Sequence, residues 1–292
     1  MTIRHLPDPV RLERMSTDEL RASFLVDTLF SEDRVSLVYT DADRAIVGSA
    51  VPATRTLSLE ATPELRAETF CERRELGVLN IGGPGTVTVD GVKYPMATRD
   101  GLYVGRGSKS ITFASDVNRT TGRTAGQTSD QTSDQAAAKF YLLSFLAHAA
   151  HPTVRIRPSE AETVRLGSRE NANERTLTKL IHPGGVKSCQ LVMGFTVLEP
   201  GSVWNSMPPH THDRRMEVYL YFDLPADARV FHFMGRPDAT RHLMVADGQA
   251  VISPSWSIHC GAGTGAYAFC WGMGGENQAF GDMDQLTLDQ LR

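Results

Sequence analysis

The stretch His210-Thr211-His212-Asp213-Arg214-Arg215-Met216-Glu217, answered 42 residues later by His259, decides how this chain is read. Three imidazoles and one carboxylate form a donor set suited to a borderline divalent ion such as Zn²⁺. On a strand, residues i and i+2 project from one face, so His210 and His212 can reach the same ion. Glu217 lies five residues past His212, an odd offset that one unbroken strand would turn away. Asp213-Arg214-Arg215 therefore reads as a turn, and Glu217 opens the next strand, Glu217-Val218-Tyr219-Leu220-Tyr221-Phe222. His259 comes from a third strand, approached through Asp247-Gly248, Ala250-Val251-Ile252 and Pro254. The plain alternative is a scatter of unrelated surface and core histidines.

The spacing His-x-His-x4-Glu, then Gly248-x5-Pro254-x4-His259, resembles the paired metal motifs of the cupin β-barrel superfamily. Trp256 departs from that pattern, standing where a glycine is common, but it removes no ligand. The run Gly201-Ser-Val-Trp-Asn-Ser-Met-Pro-Pro-His-Thr-His-Asp-Arg-Arg-Met-Glu217 is similar to the 5-keto-4-deoxyuronate isomerases of pectin breakdown. So are Val251-Ile-Ser-Pro-Ser-Trp-Ser-Ile-His259 and Trp271-Gly-Met-Gly-Gly-Glu-Asn277. The blocks Glu72–Gly82 and Val87–Tyr94 fit the same family, so the likeness runs from about residue 20 to about residue 277.

Outward from the motif, short β-branched runs broken by Gly, Pro and Asp fill residues 34–115 and again 153–275. Closely spaced strands with turn signals indicate an all-β sandwich or barrel rather than a βαβ sheet. Asp90-Gly91 between Val89 and Val92 predicts a tight hairpin. Residues 16–30 predict a helix, capped by Ser16 with Glu19, with Leu20, Phe24, Leu25 and Leu29 at helical spacing. The resulting division is an N-terminal helical segment (1–33), a first cupin half (34–118), a loop (119–138) and a metal-binding cupin half (139–292). No histidine occurs between His5 and His148, so the first half reads as a degenerate, metal-free cupin. Asp100-Gly101-x-x-Val104 echoes Asp247-Gly248-x-x-Val251, with Ser110 falling where His259 stands. Residues 120–135, with a tandem Thr-Ser-Asp-Gln, are polar and of low complexity and read as a mobile surface loop.

Composition narrows the function classes. The chain has 292 residues, 41% hydrophobic and 22% charged, enough for two domains with buried cores. A net charge of −4 without a basic run argues against nucleic acid as partner. Four scattered cysteines, no CxxC, no signal-like N-terminus and no long apolar run predict reduced thiols in a cytoplasmic protein and no membrane insertion.

Six of the nine histidines fall between residues 182 and 259, but only His210, His212 and His259 occupy motif positions. His182 reads as a turn residue, and His232 and His242 as structural or supporting histidines. For a carboxylate-bearing substrate the candidate cations are Arg214 and Arg215, then Lys179 and Arg241. Against this, Asp213-Arg214-Arg215 is equally a solvated turn. Tyr219 should share a strand face with Glu217 and form a pocket wall. Glu276, in Gly274-Gly275-Glu276-Asn277, is the candidate general acid or base. Trp204, Trp256 and Trp271 are expected to line the barrel and its mouth. Gly82-Gly83-Pro84-Gly85 lacks the order of a phosphate loop.

The resemblance implies an aldose–ketose isomerase converting 5-dehydro-4-deoxy-D-glucuronate into 3-deoxy-D-glycero-2,5-hexodiulosonate, with zinc as its metal and a hexameric assembly. Mn²⁺, Fe²⁺ and Ni²⁺ tolerate the same ligands. Rival readings are the 5-deoxy-glucuronate isomerase of inositol catabolism, a cupin dioxygenase holding Fe²⁺, and a non-catalytic sugar-binding cupin.

Overall fold

The computed structural model describes residues 1–116 and 136–292. The loop expected at 120–135 lies outside them. The chain divides into two compact units, each built from separate segments. The first comprises Met1–Thr2, Leu29–Val38 and Ile46–Glu160; the second comprises Ile3–Thr28, Tyr39–Ala45 and Ala161–Arg292. Two features differ from the division read in the sequence. Strands Phe140–Leu146 and Val154–Ile156, placed there in the metal-binding half, belong to the first unit, and the N-terminal helices belong to the second. The reason is pairing: Phe140–Leu146 runs antiparallel between Ile46–Val51 and Arg74–Asn80, completing that sheet.

In the first unit the inner strands of the large sheet are Ile46–Val51, Phe140–Leu146, Arg74–Asn80 and Gly101–Val104. A four-stranded sheet of Leu57–Ser58, Ile111–Ser115, Gly85–Val89 and Val92–Met96 accompanies it. Asp90 and Gly91 form the hairpin turn with φ of 48° and 83°, the left-handed pair that a two-residue connection needs.

The second unit repeats this plan. Its seven-stranded sheet has the order Glu162–Leu166, Arg175–Ile181, Val192–Leu198, Ala268–Gly275, Arg215–Phe222, Gln249–Ser253 and Leu25–Val26. The four-stranded sheet is Trp204–Asn205, Cys260–Gly263, Val230–Arg236 and Ala239–Val245. Leu177, Tyr221, Phe269 and Trp271 from the large sheet meet Val230, Met234 and Leu243 from the small one in a single apolar core. Burial of these apolar faces is the main stabilising term. Leu12, Leu20 and Phe24 of helices Pro9–Leu12 and Thr17–Phe24 join the same core.

The capping box at Ser16 forms as its sequence predicts, with Ser16 N–H on Glu19 at 2.7 Å. The helix is shorter than expected, however. It ends at Phe24, because Leu25 and Val26 pair with Val251 and Ala250 as a seventh strand. The edge strand recovers backbone hydrogen bonds that a further helical turn would have made only to itself.

In each large sheet one strand carries an arginine near its start, flanked by corresponding neighbours. In the second unit that strand leads on to Glu217. In the first, Arg74 is buried and its guanidinium donates to Ser144, while Glu75 accepts from the Tyr103 hydroxyl. The first unit's histidines, His148 and His151, follow the strand Phe140–Leu146, and none precedes them in that unit. All four cysteines are free thiols, and three are buried. Among the described residues, no helix is long and apolar enough to cross a membrane.

Candidate metal centre

Glu217 sits on the inner face of the interior strand Arg215–Phe222, opposite Ser253 on one side and Met273 on the other. Period-two alternation puts Tyr219 and Tyr221 on that same face, as expected for Tyr219. The turn is tighter than the sequence suggests, covering Asp213–Arg214, and the strand already begins at Arg215. The turn is closed by the Arg215 N–H on the His212 carbonyl. His210–Thr211 forms a two-residue strand against Asp284–Gln285, a C-terminal pairing that no periodicity announced. His259 precedes the strand Cys260–Gly263.

These segments bring His210, His212, Glu217 and His259 together, with their ligand atoms all within 4.8 Å of one another. Glu217 Oε2 lies 3.0 Å from His212 Nε2 and 2.8 Å from His259 Nε2. His210 Nε2 faces His259 Nε2 at 3.1 Å. His212, Glu217 and His259 are buried, and His210 is half-buried. The opposite ring nitrogens meet main-chain acceptors: His212 Nδ1 donates to the Arg215 carbonyl at 2.8 Å, and His259 Nδ1 to that of Ser257 at 3.3 Å. With Nδ1 carrying the hydrogen, each Nε2 presents a lone pair inward. Lone pairs aimed at one another beside a carboxylate repel unless a cation lies between them. The donor set thus fits a divalent ion with nitrogen and oxygen preference.

The electrostatics agree. Burial pushes the Glu217 carboxyl up, but His259 and His212 outweigh it and hold it well below the usual carboxylate range. Burial lowers His212, while the hydrogen bond and charge of Glu217 reverse this and leave it raised. His210 is pushed down to about 3, first by burial and then by His259. His232, fully buried behind the site, is also pushed down to about 3, by burial and then by His259.

A pH prediction follows from His210 and His232. Their folded values lie below the ordinary 6.5, so between those limits the unfolded chain binds more protons. Their contribution to stability is complete above about pH 6.5 and is lost as pH falls towards 3. Thermal melts of metal-stripped protein should show a falling Tm across this window, with a shallower slope for His232→Leu. An equal slope in the two proteins would contradict the assignment.

The remaining candidates are placed differently from a ring of substrate cations. Arg214 holds Asp282 at 2.7 Å and Asp284 at 2.9 Å, which raises its own pKa and holds Asp282 down at about 2. It therefore straps the C-terminal segment to the ligand turn. Lys179 pairs with Glu162 at 2.6 Å and lies over the Phe280 ring. Arg241 donates to the carbonyls of Leu12, Glu13 and Met15, closing the end of the first helix. Arg241→Met should lower stability by about 1–3 kcal/mol, read as a lower Tm, and leave KM unchanged. A KM change at unchanged Tm would return Arg241 to the substrate site.

Arg215 is the exception. It is fully buried, Nη2 donates to the Asp282 carbonyl at 2.8 Å, and Nε and Nη1 have no hydrogen-bond partner among the described residues. Tyr219 packs edge-on to His259, with ring centroids 5.4 Å apart, and its hydroxyl meets Ser206 Oγ at 3.0 Å. Glu276 lies one residue past the end of Ala268–Gly275, exposed, its N–H on the Arg214 carbonyl. Its carboxylate accepts no hydrogen bond among the described residues. Of the tryptophans, Trp271 is buried in the core and Trp256 packs against it. Trp204 stacks on Phe233 at 6.1 Å.

Sequence reasoning missed three groups. Asp43 accepts the Met216 N–H at 3.0 Å, on a segment 173 residues away that carries no motif. Asn205 and Tyr267 form a buried polar contact at 2.8 Å. Their only signal was the placement of Asn205 within the family-like run.

Comparison with known proteins bears on all of this. A family profile described as KduI/IolB matches residues 24–290. A protein of Lachnoclostridium phytofermentans named 4-deoxy-L-threo-5-hexosulose-uronate ketol-isomerase is 52% identical over 292 residues, covering all of both chains. One of the same name from Kineococcus radiotolerans is 50% identical over the same span. Among solved structures, an IolB-like protein from Salmonella typhimurium superposes with a TM-score of 0.67 at 12% identity, over 90% of this chain and 97% of that one. That likeness concerns the fold, and it matches the all-β, two-sandwich bicupin plan expected. With a profile match over nearly the whole length and half of all residues shared end to end, this chain belongs to the KduI/IolB family.

Proposed function

We propose that this protein is a metal-dependent ketol-isomerase acting on 4-deoxy-L-threo-5-hexosulose uronate, which is 5-dehydro-4-deoxy-D-glucuronate, in uronate breakdown. The product is 3-deoxy-D-glycero-2,5-hexodiulosonate. The observation that carries this reading is the buried three-histidine, one-glutamate group in a chain half identical, end to end, to proteins of that name.

His210, His212, Glu217 and His259 would hold the ion, and zinc is the metal we assign. Once bound, the ion supplies a Lewis-acidic centre for neighbouring carbonyl and hydroxyl oxygens. The chain's own residues do the rest. Glu276 removes the proton from the carbon beside the aldehyde and returns it to the former aldehyde carbon, while the hydroxyl proton on that neighbouring carbon passes to the aldehyde oxygen, so the carbonyl moves one position with no net change in atoms. Glu276 suits this because its carboxylate is uncommitted, whereas Glu217, Asp282 and Asp284 are paired. Tyr219 walls the pocket beside His259. Arg215 takes the substrate carboxylate through its two unpartnered N–H groups. With a net charge of −4, such local recognition must replace long-range attraction. Arg215→Lys should raise KM by about 30-fold or more with metal still stoichiometric, as for a lost charge-assisted hydrogen bond. Wild-type KM in that variant would move the role elsewhere, with Arg175, half-buried and within electrostatic reach of Tyr219, next in line.

The test is an isomerase assay on metal-stripped protein with Zn²⁺, Mn²⁺, Fe²⁺ or Ni²⁺ restored singly, run beside 5-deoxy-glucuronate and an oxygen electrode. Turnover of the deoxy hexosulose uronate without oxygen uptake supports the reading. Preference for 5-deoxy-glucuronate, or oxygen consumption, selects a rival. We further propose one metal per chain, none of it in the first unit, and a cytoplasmic homo-oligomer, a hexamer. A monodisperse monomer in light scattering would refute the assembly.

A further inference from the structure

Beyond Tyr219, the inner face of the strand Arg215–Phe222 carries Tyr221, fully buried. Tyr221 belongs to a ladder of polar side chains deep in the second unit. Tyr267 Oη donates to the Gly261 carbonyl at 3.2 Å, and Asn205 Nδ2 donates to Tyr267 Oη at 2.8 Å. The Asn205 amide and the Tyr221 hydroxyl both abut Gly261. Tyr221 Oη then meets His232 Nδ1 at 2.8 Å.

The direction of the ladder is fixed at its carbonyl end. A carbonyl only accepts, so Tyr267 spends its single proton there and accepts from Asn205. Among the described residues His232 Nδ1 is the acceptor within hydrogen-bond reach of the Tyr221 hydroxyl, while Asn205 Oδ1 accepts nothing, so the Tyr221 proton goes to His232 Nδ1. A neutral imidazole accepting at Nδ1 carries its hydrogen on Nε2. Burial, which pushes His232 down to about 3, keeps the ring neutral.

Among the described residues that Nε2–H is a fully buried donor with no hydrogen-bond partner, and Asn205 Oδ1 is a buried acceptor in the same condition. Unpaired polar atoms at such depth are costly and call for an explanation. Their place supplies one. His232 is registered opposite Gly261, two residues beyond His259 on the same face. Its ring lies 5.8 Å from that of Tyr219, which stands 5.4 Å from His259. The donor is therefore one rung deeper than the ligand group. A Cβ on residue 261 would come within 2.9 Å of Tyr221 Oη and 3.0 Å of Asn205 Nδ2, so a glycine there leaves the ladder its room.

We propose that His232 is a substrate-binding residue whose Nε2–H donates to a hydroxyl oxygen of the open-chain polyhydroxy keto acid, and that Tyr221 positions it by fixing its tautomer. The unpartnered donor suits a hydroxyl oxygen, which accepts. This inference rests on the ketol-isomerase reading.

The experiment uses the full chain loaded with Zn²⁺. His232→Leu should retain one metal per chain and lose about 100-fold in kcat/KM, the usual effect of removing one aimed donor. His232→Gln, which keeps an N–H, should recover at least about tenfold of that loss. In ¹⁵N-histidine spectra of the wild-type protein, His232 should show the Nε2–H tautomer, and that resonance should move on adding the deoxy hexosulose uronate. Tyr221→Phe should release the tautomer preference while metal stays bound. Unchanged kcat/KM in His232→Leu, an Nε2–H signal indifferent to substrate, or loss of metal from both His232 variants would overturn the proposal. If wild-type protein fails to isomerise the uronate, the functional reading falls instead, and the inference with it.

Discussion

Replacing Glu217 with Gln, or His212 or His259 with Ala, is expected to abolish stoichiometric metal binding and to lower kcat/KM by at least three powers of ten. The magnitude is that of several kcal/mol of charge stabilisation withdrawn from the reacting oxygens. The geometry explains why each ligand matters. Glu217 is within 3.0 Å of two ring nitrogens, and removing its charge leaves three inward lone pairs with no anionic partner. The same variants should no longer gain thermal stability from added metal, since binding to the native state alone raises Tm by mass action. Metal analysis by emission spectroscopy, with melts in the presence and absence of Zn²⁺, checks both points. Any of these variants retaining one tightly bound equivalent and wild-type turnover would remove the group from the active site. His210→Ala is expected to be milder in stability, because that ring is only half-buried.

Glu276→Gln should leave metal content and KM near wild-type and lower kcat by about 10²–10⁴, the range for losing a positioned general acid or base. The split distinguishes it from Arg215→Lys, whose effect falls on KM. An interaction shared by ground and transition states appears in KM, while one made only during proton transfer appears in kcat. Steady-state kinetics with metal-reconstituted variants, together with exchange of solvent deuterium into the product, measures both. A Glu276→Gln enzyme with undiminished kcat would pass the proton role to another group. Asp43 would come first, since burial raises its pKa and Glu276 lies within electrostatic reach of it.

Most of the ligand set was legible because its information is local. His210 and His212 are two residues apart, Glu217 opens an alternating strand, and Gly248, Pro254 and His259 keep fixed intervals. Period two and turn chemistry convert such spacing directly into facing side chains. The capping box at Ser16 and the hairpin at Asp90-Gly91 were readable for the same reason. The cations were not. Arg214, Arg241 and Lys179 look alike as candidates in the sequence, and their partners lie far along the chain. Arg214 meets Asp282 and Asp284, Arg241 meets carbonyls about 230 residues earlier, and Lys179 meets Glu162.

The sequence by itself therefore determined the all-β class, the histidine-free stretch between His5 and His148, the four metal-ligating candidates and the family likeness. Only the tertiary structure decided which strands complete which sheet. It moved Phe140–Leu146 into the first unit and turned Leu25–Val26 from helix into an edge strand. It also decided which polar groups end up unpaired: Arg215 Nε and Nη1, His232 Nε2 and Asn205 Oδ1. The physical reason is common to both. Strand partnership and hydrogen-bond satisfaction are settled between segments distant in sequence, by which arrangement buries apolar faces while pairing the most backbone and side-chain groups. Neither periodicity nor residue type records that outcome.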